Sequence, residues 1–168
     1  DFDDVIDKKI AGKVDIAFFK FCYVDIMPAT DVRRLFESYQ STLASLKEKY
    51  SKVVFIHVTT PVTSLQTGPK AWIKKLIGKP LRGYDDNVKR EQFNAMLRKE
   101  YSGKEPIFDL AGIESIFPDG SRSTFKKDGK EYPALAPVYT NDGGHLNELG
   151  RKVVAEQFLI FLANLANK

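Results

Sequence analysis

Hydrophobic positions along the chain switch between two periods. Val14-Asp15-Ile16-Ala17-Phe18-Phe19-Lys20-Phe21-Cys22 is a mostly apolar run of strand length, and Lys52-Val53-Val54-Phe55-Ile56-His57-Val58 is a second, rich in β-branched residues. Runs this apolar suit strands buried on both faces of a parallel sheet covered by helices. Between them, Val32, Leu35, Phe36, Tyr39, Leu43, Leu46 and Tyr50 recur at helical spacing, and Thr30 or Asp31 can cap that helix. Asp85 or Asp86 opens another helix, with Val88, Phe93, Met96, Leu97 and Tyr101 as its inner face. Pro106-Ile107-Phe108-Asp109-Leu110 reads as a short third strand. Ser123 to Tyr132 reads as a small hairpin turning at Asp128-Gly129. Tyr132 to Pro137 is an extended approach to a polar loop, and Val153, Val154, Phe158, Phe161, Leu162 and Leu165 mark a last amphipathic helix. Phe2, Val5, Ile6 and Ile10 share one helical face and predict the end of a helix stopped near Gly12. The alternation of strands and helices predicts an α/β sandwich with a parallel sheet, built as one domain over residues 1–168.

One segment does not fit that alternation. From 61 to 83 the chain is polar and holds Pro61, Gly68, Pro69, Gly78 and Pro80, with a short helical piece around 71–77. Insertions of this length between a strand and a helix often act as lids or binding loops. Trp72, the only tryptophan, either anchors the insertion to the core or offers an apolar surface to a substrate. Lys70, Lys74, Lys75, Lys79 and Arg82 cluster here, but without the interleaved aromatics of a nucleic-acid groove. They read as a solvated face, and no nucleic-acid partner is expected.

The rest of the composition narrows the chemistry by exclusion. The net charge of +4 is only mildly basic. No apolar run approaches the roughly 20 residues of a membrane span. A single cysteine, Cys22, rules out an internal disulfide framework. Two histidines, outside any His-x-x-x-His array, give no metal site, and no Gly-rich phosphate loop follows a strand. No cofactor is expected.

One short stretch does suggest catalysis: Asn141-Asp142-Gly143-Gly144-His145-Leu146-Asn147-Glu148-Leu149-Gly150. A carboxylate can hold an imidazole in one tautomer, leaving the other ring nitrogen to take a proton from a hydroxyl. The two glycines allow a sharp turn that puts the pair at a loop tip. The alternative is a polar turn in which Asn141 or Asp142 merely caps the following helix. His57 lies within an apolar strand and reads as a core histidine with its polar atoms satisfied. Cys22 reads as a small core residue, although a thiolate near an imidazole would be a good nucleophile. Ser64, just after a strand, is the best placed of the internal serines, but none has a nucleophile-elbow pattern.

Asp142-x-x-His145-Leu146-Asn147-x-x-Gly150 followed by an amphipathic helix resembles the last block of the SGNH, or GDSL-like, hydrolases. The resemblance implies a three-layer, flavodoxin-like α/β/α fold. It also implies that Asp142 and His145 are two members of a Ser-His-Asp triad for ester hydrolysis or acyl transfer. Cys22-Tyr23-Val24-Asp25 is similar to the family's Gly-x-Asn-Asp block, with Asp25 matching the final Asp. Val24 replaces the Asn whose side chain helps form the oxyanion hole. Tyr23 and Asp25 are then expected to shape the strand-end pocket, with Trp72 in the substrate wall. The family's nucleophilic serine and oxyanion glycine come earlier in the chain than this block. Some bacterial relatives carry a Lys-Phe-Cys-Tyr-Val-Asp strand exit after a longer N-terminal part with a Ser-Val-Gly-like motif. The resemblance thus implies a serine upstream of Asp1, carried with the first strand. The expected substrate is a small-molecule or carbohydrate ester, such as an acetylated carbohydrate. The alternative is an inactive carbohydrate- or protein-binding domain of the same fold.

Overall fold

The computed structural model describes Ile6 and residues 13–167. Of the helix expected near the N-terminus, only Ile6 falls within the described residues, and it is buried. The two apolar runs become adjacent parallel strands, β1 (Ile16–Phe19) and β2 (Val54–Val58), in register from Ile16 opposite Val54 to Phe19 opposite His57. The third expected strand is shorter than its sequence suggests: β3 is Ile107–Phe108, parallel to β2. Among the described residues the sheet order is β1-β2-β3.

Alternation along β2 divides the core. Phe55 and His57 point to one side, where α1 (Val32–Lys49) and α3 (Asp85–Tyr101) pack, with α2 (Pro69–Leu76) lying between them in sequence. On this side Phe93 is wholly buried among the rings of Phe21, Phe36 and Tyr39. Ile56 and Val58 point to the other side with Phe108 and Leu110, under Val154, Phe158, Phe161, Leu162 and Leu165. These last five sit on the C-terminal helix, numbered α5 (Glu148–Ala166) because α4 (Leu110–Glu114) precedes it. The result is the expected α/β/α layering around a parallel sheet.

Three local expectations change. Asp109 and Leu110 are expected to end the third strand; Asp109 instead caps α4, accepting from the Gly112 N–H at 3.2 Å, and Leu110 is its first residue. β1 was expected to be buried on both faces, yet Phe18 is 50% exposed. β1 is an edge strand among the described residues, and α5 reaches it through Phe158, whose ring meets Phe18 at 5.2 Å. The inner face of α3 is not purely apolar: Asn87, Arg90 and Asn94 are buried along it. The hairpin appears as β4 (Thr124–Lys127) and β5 (Lys130–Pro133). Asp128 and Gly129 both take positive φ, as a tight primed turn requires.

His57 is a core histidine. Its Nε2 lies 2.9 Å from Glu105 Oε2, its Nδ1 accepts from the Tyr39 hydroxyl at 2.7 Å, and Tyr101 stacks on its ring. Lys47 also pairs with Glu105. Glu114 is the more isolated buried acid. Its carboxyl, 4% exposed, accepts from the Val62 N–H at 3.2 Å, and burial pushes its pKa up to about 8. A raised carboxyl pKa contributes stability that is present below the unfolded value and lost as pH rises through the folded one. Glu114→Gln keeps an acceptor for Val62 but cannot ionise. Its melting temperature relative to the native chain is therefore expected to climb between about pH 5 and about pH 8. A gap that stays constant over that window would show that Glu114 does not carry the proton in the fold.

Candidate active site

The carboxyl ends of the strands share one rim, and their exits are built differently. After β1, the chain turns at Cys22-Tyr23-Val24-Asp25. The Asp25 N–H donates to the Cys22 carbonyl at 3.0 Å, and the Cys22 N–H donates to Asp25 Oδ2 at 2.6 Å. Ile26, wholly buried, pins the turn to the core. Tyr23 is held from below by Arg90, whose Nε donates to the Tyr23 carbonyl at 3.0 Å and whose guanidinium lies 5.7 Å from the ring centre. Arg90 is itself buried, and its Nη1 donates to Thr63 Oγ1 and Asn87 Oδ1.

After β2, the Thr59 N–H still donates to the Phe108 carbonyl of β3 at 3.2 Å, and residues Thr60 to Ser64 then form a buried strap with no strand beside it among the described residues. Buried peptide groups need partners. Two asparagines of α3 supply them. The Asn94 amide takes the Thr60 N–H at 2.7 Å and gives to the Thr60 carbonyl at 3.0 Å. Asn87 does the same for Thr63, at 3.0 and 2.7 Å. Each side-chain amide stands in for one peptide of a neighbouring strand. At the end of the strap, the Ser64 N–H donates to the Gly143 carbonyl at 2.9 Å. That bond ties the β2 exit to the loop preceding α5.

In that loop one carboxylate organises the backbone. Asp142 Oδ1 accepts from the N–H groups of Gly144 and His145, both at 2.8 Å. Asp142 Oδ2 lies 2.6 Å from His145 Nδ1. The bonds from Gly144 and His145 hold the Asp142 carboxyl well below its usual range, so it is ionised and can only accept. The Nδ1 must therefore carry the hydrogen, and Nε2 of the neutral ring is bare. That Nε2 faces the Tyr23 hydroxyl at 3.3 Å, with the rings edge to face. The His145 side chain is 73% exposed, so the imidazole stands open on the rim.

The glycines are dictated by this crowding. Gly143 has φ +86, and a Cβ there would overlap the Arg82 guanidinium and approach Ser64 Oγ at 2.7 Å. A Cβ on Gly144 would come within 2.9 Å of the Tyr23 ring. Neither Asn141 nor Asp142 caps α5; Asn147 does, accepting from the Gly150 N–H at 3.0 Å. Asp142 is thereby left to the imidazole.

The structure thus brings Tyr23, Asp142 and His145 together, while Asp25 shares the turn of Tyr23 and spends its carboxylate on the Cys22 N–H. Trp72 lies elsewhere, 67% exposed on α2, so it does not anchor the insertion. It lines a groove of about 510 Å³ with Gln66, Leu81, Tyr84 and Lys127. Val24 is exposed and offers no side-chain donor. Ser64 is buried beneath the histidine loop, with its hydroxyl aimed at the Gly143 carbonyl at 3.4 Å. It is therefore badly placed as a nucleophile. Sequence reading missed Asn87, Arg90 and Asn94. Their spacing of three and four on one helix face was the available signal.

Solved structures share this fold. One is a Bacteroides fragilis protein provisionally described as an acylhydrolase, at 19% identity and TM-score 0.61 over 95% of this chain. Another, provisionally described as a platelet activating factor from Streptococcus pneumonia, matches at 15% identity and TM-score 0.59 over 90% of this chain. The chain spans 65% and 61% of the length of these two structures. No protein-family model matches it, and no curated protein does. At such identities the likeness establishes a fold, the one used by acylhydrolase-like proteins.

The geometry makes Asp142 the clamp of the loop. Asp142→Ala removes the acceptor for two backbone amides. Hydrogen exchange at Gly144 and His145 is expected to speed up by about tenfold or more, with the Thr60 and Thr63 amides unaffected. Unchanged exchange at Gly144 and His145 would contradict the clamp.

Proposed function

We propose that this chain supplies the imidazole–carboxylate part of a serine acyl-transfer site of the SGNH type, acting on an ester. The observation that carries the proposal is the 2.6 Å Asp142–His145 bond with a bare Nε2 at the strand-end rim. In this reading, Nε2 takes the proton from a serine hydroxyl as the hydroxyl attacks the ester carbonyl. The imidazolium that forms is stabilised by Asp142 and then protonates the leaving alcohol. The Tyr23 hydroxyl, already within 3.3 Å of Nε2, marks where an incoming hydroxyl would sit.

The serine is proposed to come from outside residues 1–168. A further parallel strand added to the sheet would bring its carboxyl end to the same rim, since parallel neighbours end together. With Val24 where the family has Asn, the oxyanion would rely on backbone N–H groups or on Tyr23. Losing one such donor typically costs on the order of 100- to 1000-fold. An acetylated carbohydrate is a fitting ester class for so open a rim.

Val24 also favours a second reading, an inactive SGNH-like domain that binds a carbohydrate or a partner chain. A protein extended upstream of Asp1 separates the two. In the hydrolase reading it is labelled at a serine by a fluorophosphonate probe and cleaves short acyl esters. His145→Ala then lowers kcat by about 100- to 10,000-fold. No labelling, or ester cleavage indifferent to His145→Ala, would leave the binding reading.

A further inference from the structure

The insertion after β2 leaves the body through a closed neck. The Gln66 N–H donates to the Arg82 carbonyl at 3.0 Å, and Gly83, at φ +88, packs directly on the Ser64 carbonyl. Beyond the neck stands α2, which touches the body sparingly. Ala71 is its one buried residue, and Lys74 donates to Gln66 Oε1 at 3.0 Å. Trp72 and Lys75 border the groove already described, and the exposed part of the helix has an unexpected composition. Trp72, Ile73, Leu76 and Ile77 are 67%, 52%, 71% and 57% exposed. At 100° per residue these four fall on one face, and Lys70 and Lys75 lie along its two borders. Lys79 follows the helix immediately. Four large apolar side chains on one short helix form a contiguous patch, unlike hydrophobic residues scattered singly over a surface.

We infer that α2 is an interfacial docking helix for an anionic lipid surface. Two observations select that occupant. The apolar face has the Trp, Ile and Leu content that inserts at the boundary between headgroups and acyl chains, and its lysine borders match negative headgroups. A polyanion such as nucleic acid would use the lysines and leave the apolar face in water. A second copy of this chain would bury the apolar face but bring two sets of lysines together. Arg82, at the neck of the insertion, packs against Gly143 of the histidine loop.

The single tryptophan makes the test direct. The protein is mixed with vesicles of phosphatidylcholine and phosphatidylglycerol in about a 3:1 ratio, or with phosphatidylcholine alone. Expected are co-sedimentation with the anionic vesicles and a blue shift of Trp72 emission. Partitioning should be at least about tenfold weaker on neutral vesicles and should weaken with added salt. Leu76→Asp with Ile77→Asp should abolish both signals, and Lys70→Glu with Lys75→Glu should remove the anionic preference. All four side chains are exposed, so unchanged melting temperatures certify the fold of each variant. No binding to anionic vesicles would overturn the inference, as would binding that survives the double Asp variant. A blue shift that grows with protein concentration in the absence of lipid would also overturn it, in favour of a second copy.

Discussion

The candidate site depends on how one carboxylate divides its two oxygens. Oδ1 of Asp142 gathers two successive backbone N–H groups, and Oδ2 takes the imidazole three residues on. The first pair of bonds bends the chain at Gly143-Gly144; the third fixes the ring. Loop shape and ring orientation are therefore one property. A side chain that only capped a helix could not do this, and the capping of α5 is accordingly left to Asn147.

That loop would hang free without the strap it rests on. The strap is an extension of β2 in all but its partners. Side-chain amides of Asn87 and Asn94 replace a neighbouring strand, and Arg90 between them supports Tyr23. A helix face that a purely apolar core would have filled with leucine instead carries hydrogen bonds. The exchange suits a buried backbone, because leaving even one peptide group unpaired there costs as much as several ordinary contacts contribute. From the strap, the Ser64–Gly143 bond passes the position of the sheet on to the histidine. The chain of causes runs from β-branched strands to strap, to loop, to ring.

Periodicity made the layers legible, because the helix stripes face water on one side only and β2, buried on both faces, reads as a continuous apolar run. It could not foretell the exposed face of β1, since exposure there reflects what lies beside the strand rather than its own residues. The α4 turn was hidden because Ile107 to Leu110 is as apolar as a strand, and Asp109 reads as a cap only once Gly112 is seen above it. The Asp142–His145 pair was legible from spacing and glycines. Arg90 and the two asparagines were not, because polar residues on a helix predict solvent unless their partners are known. The sequence left Trp72 open between anchoring the insertion and offering an apolar surface, and its exposure excludes the first.

The two histidines give the account its sharpest contrast. Glu105 beside Nε2 and the Tyr39 hydroxyl at Nδ1 put the His57 hydrogen on Nε2. Asp142 puts that of His145 on Nδ1. Long-range proton–nitrogen NMR of the imidazoles at neutral pH reads this directly. One ring, His57, is expected to be protonated at Nε2, and the other, His145, to carry its hydrogen on Nδ1 with Nε2 bare. Finding the His145 hydrogen on Nε2 would mean that Asp142 does not hold the ring, and no proton could be taken up at the rim.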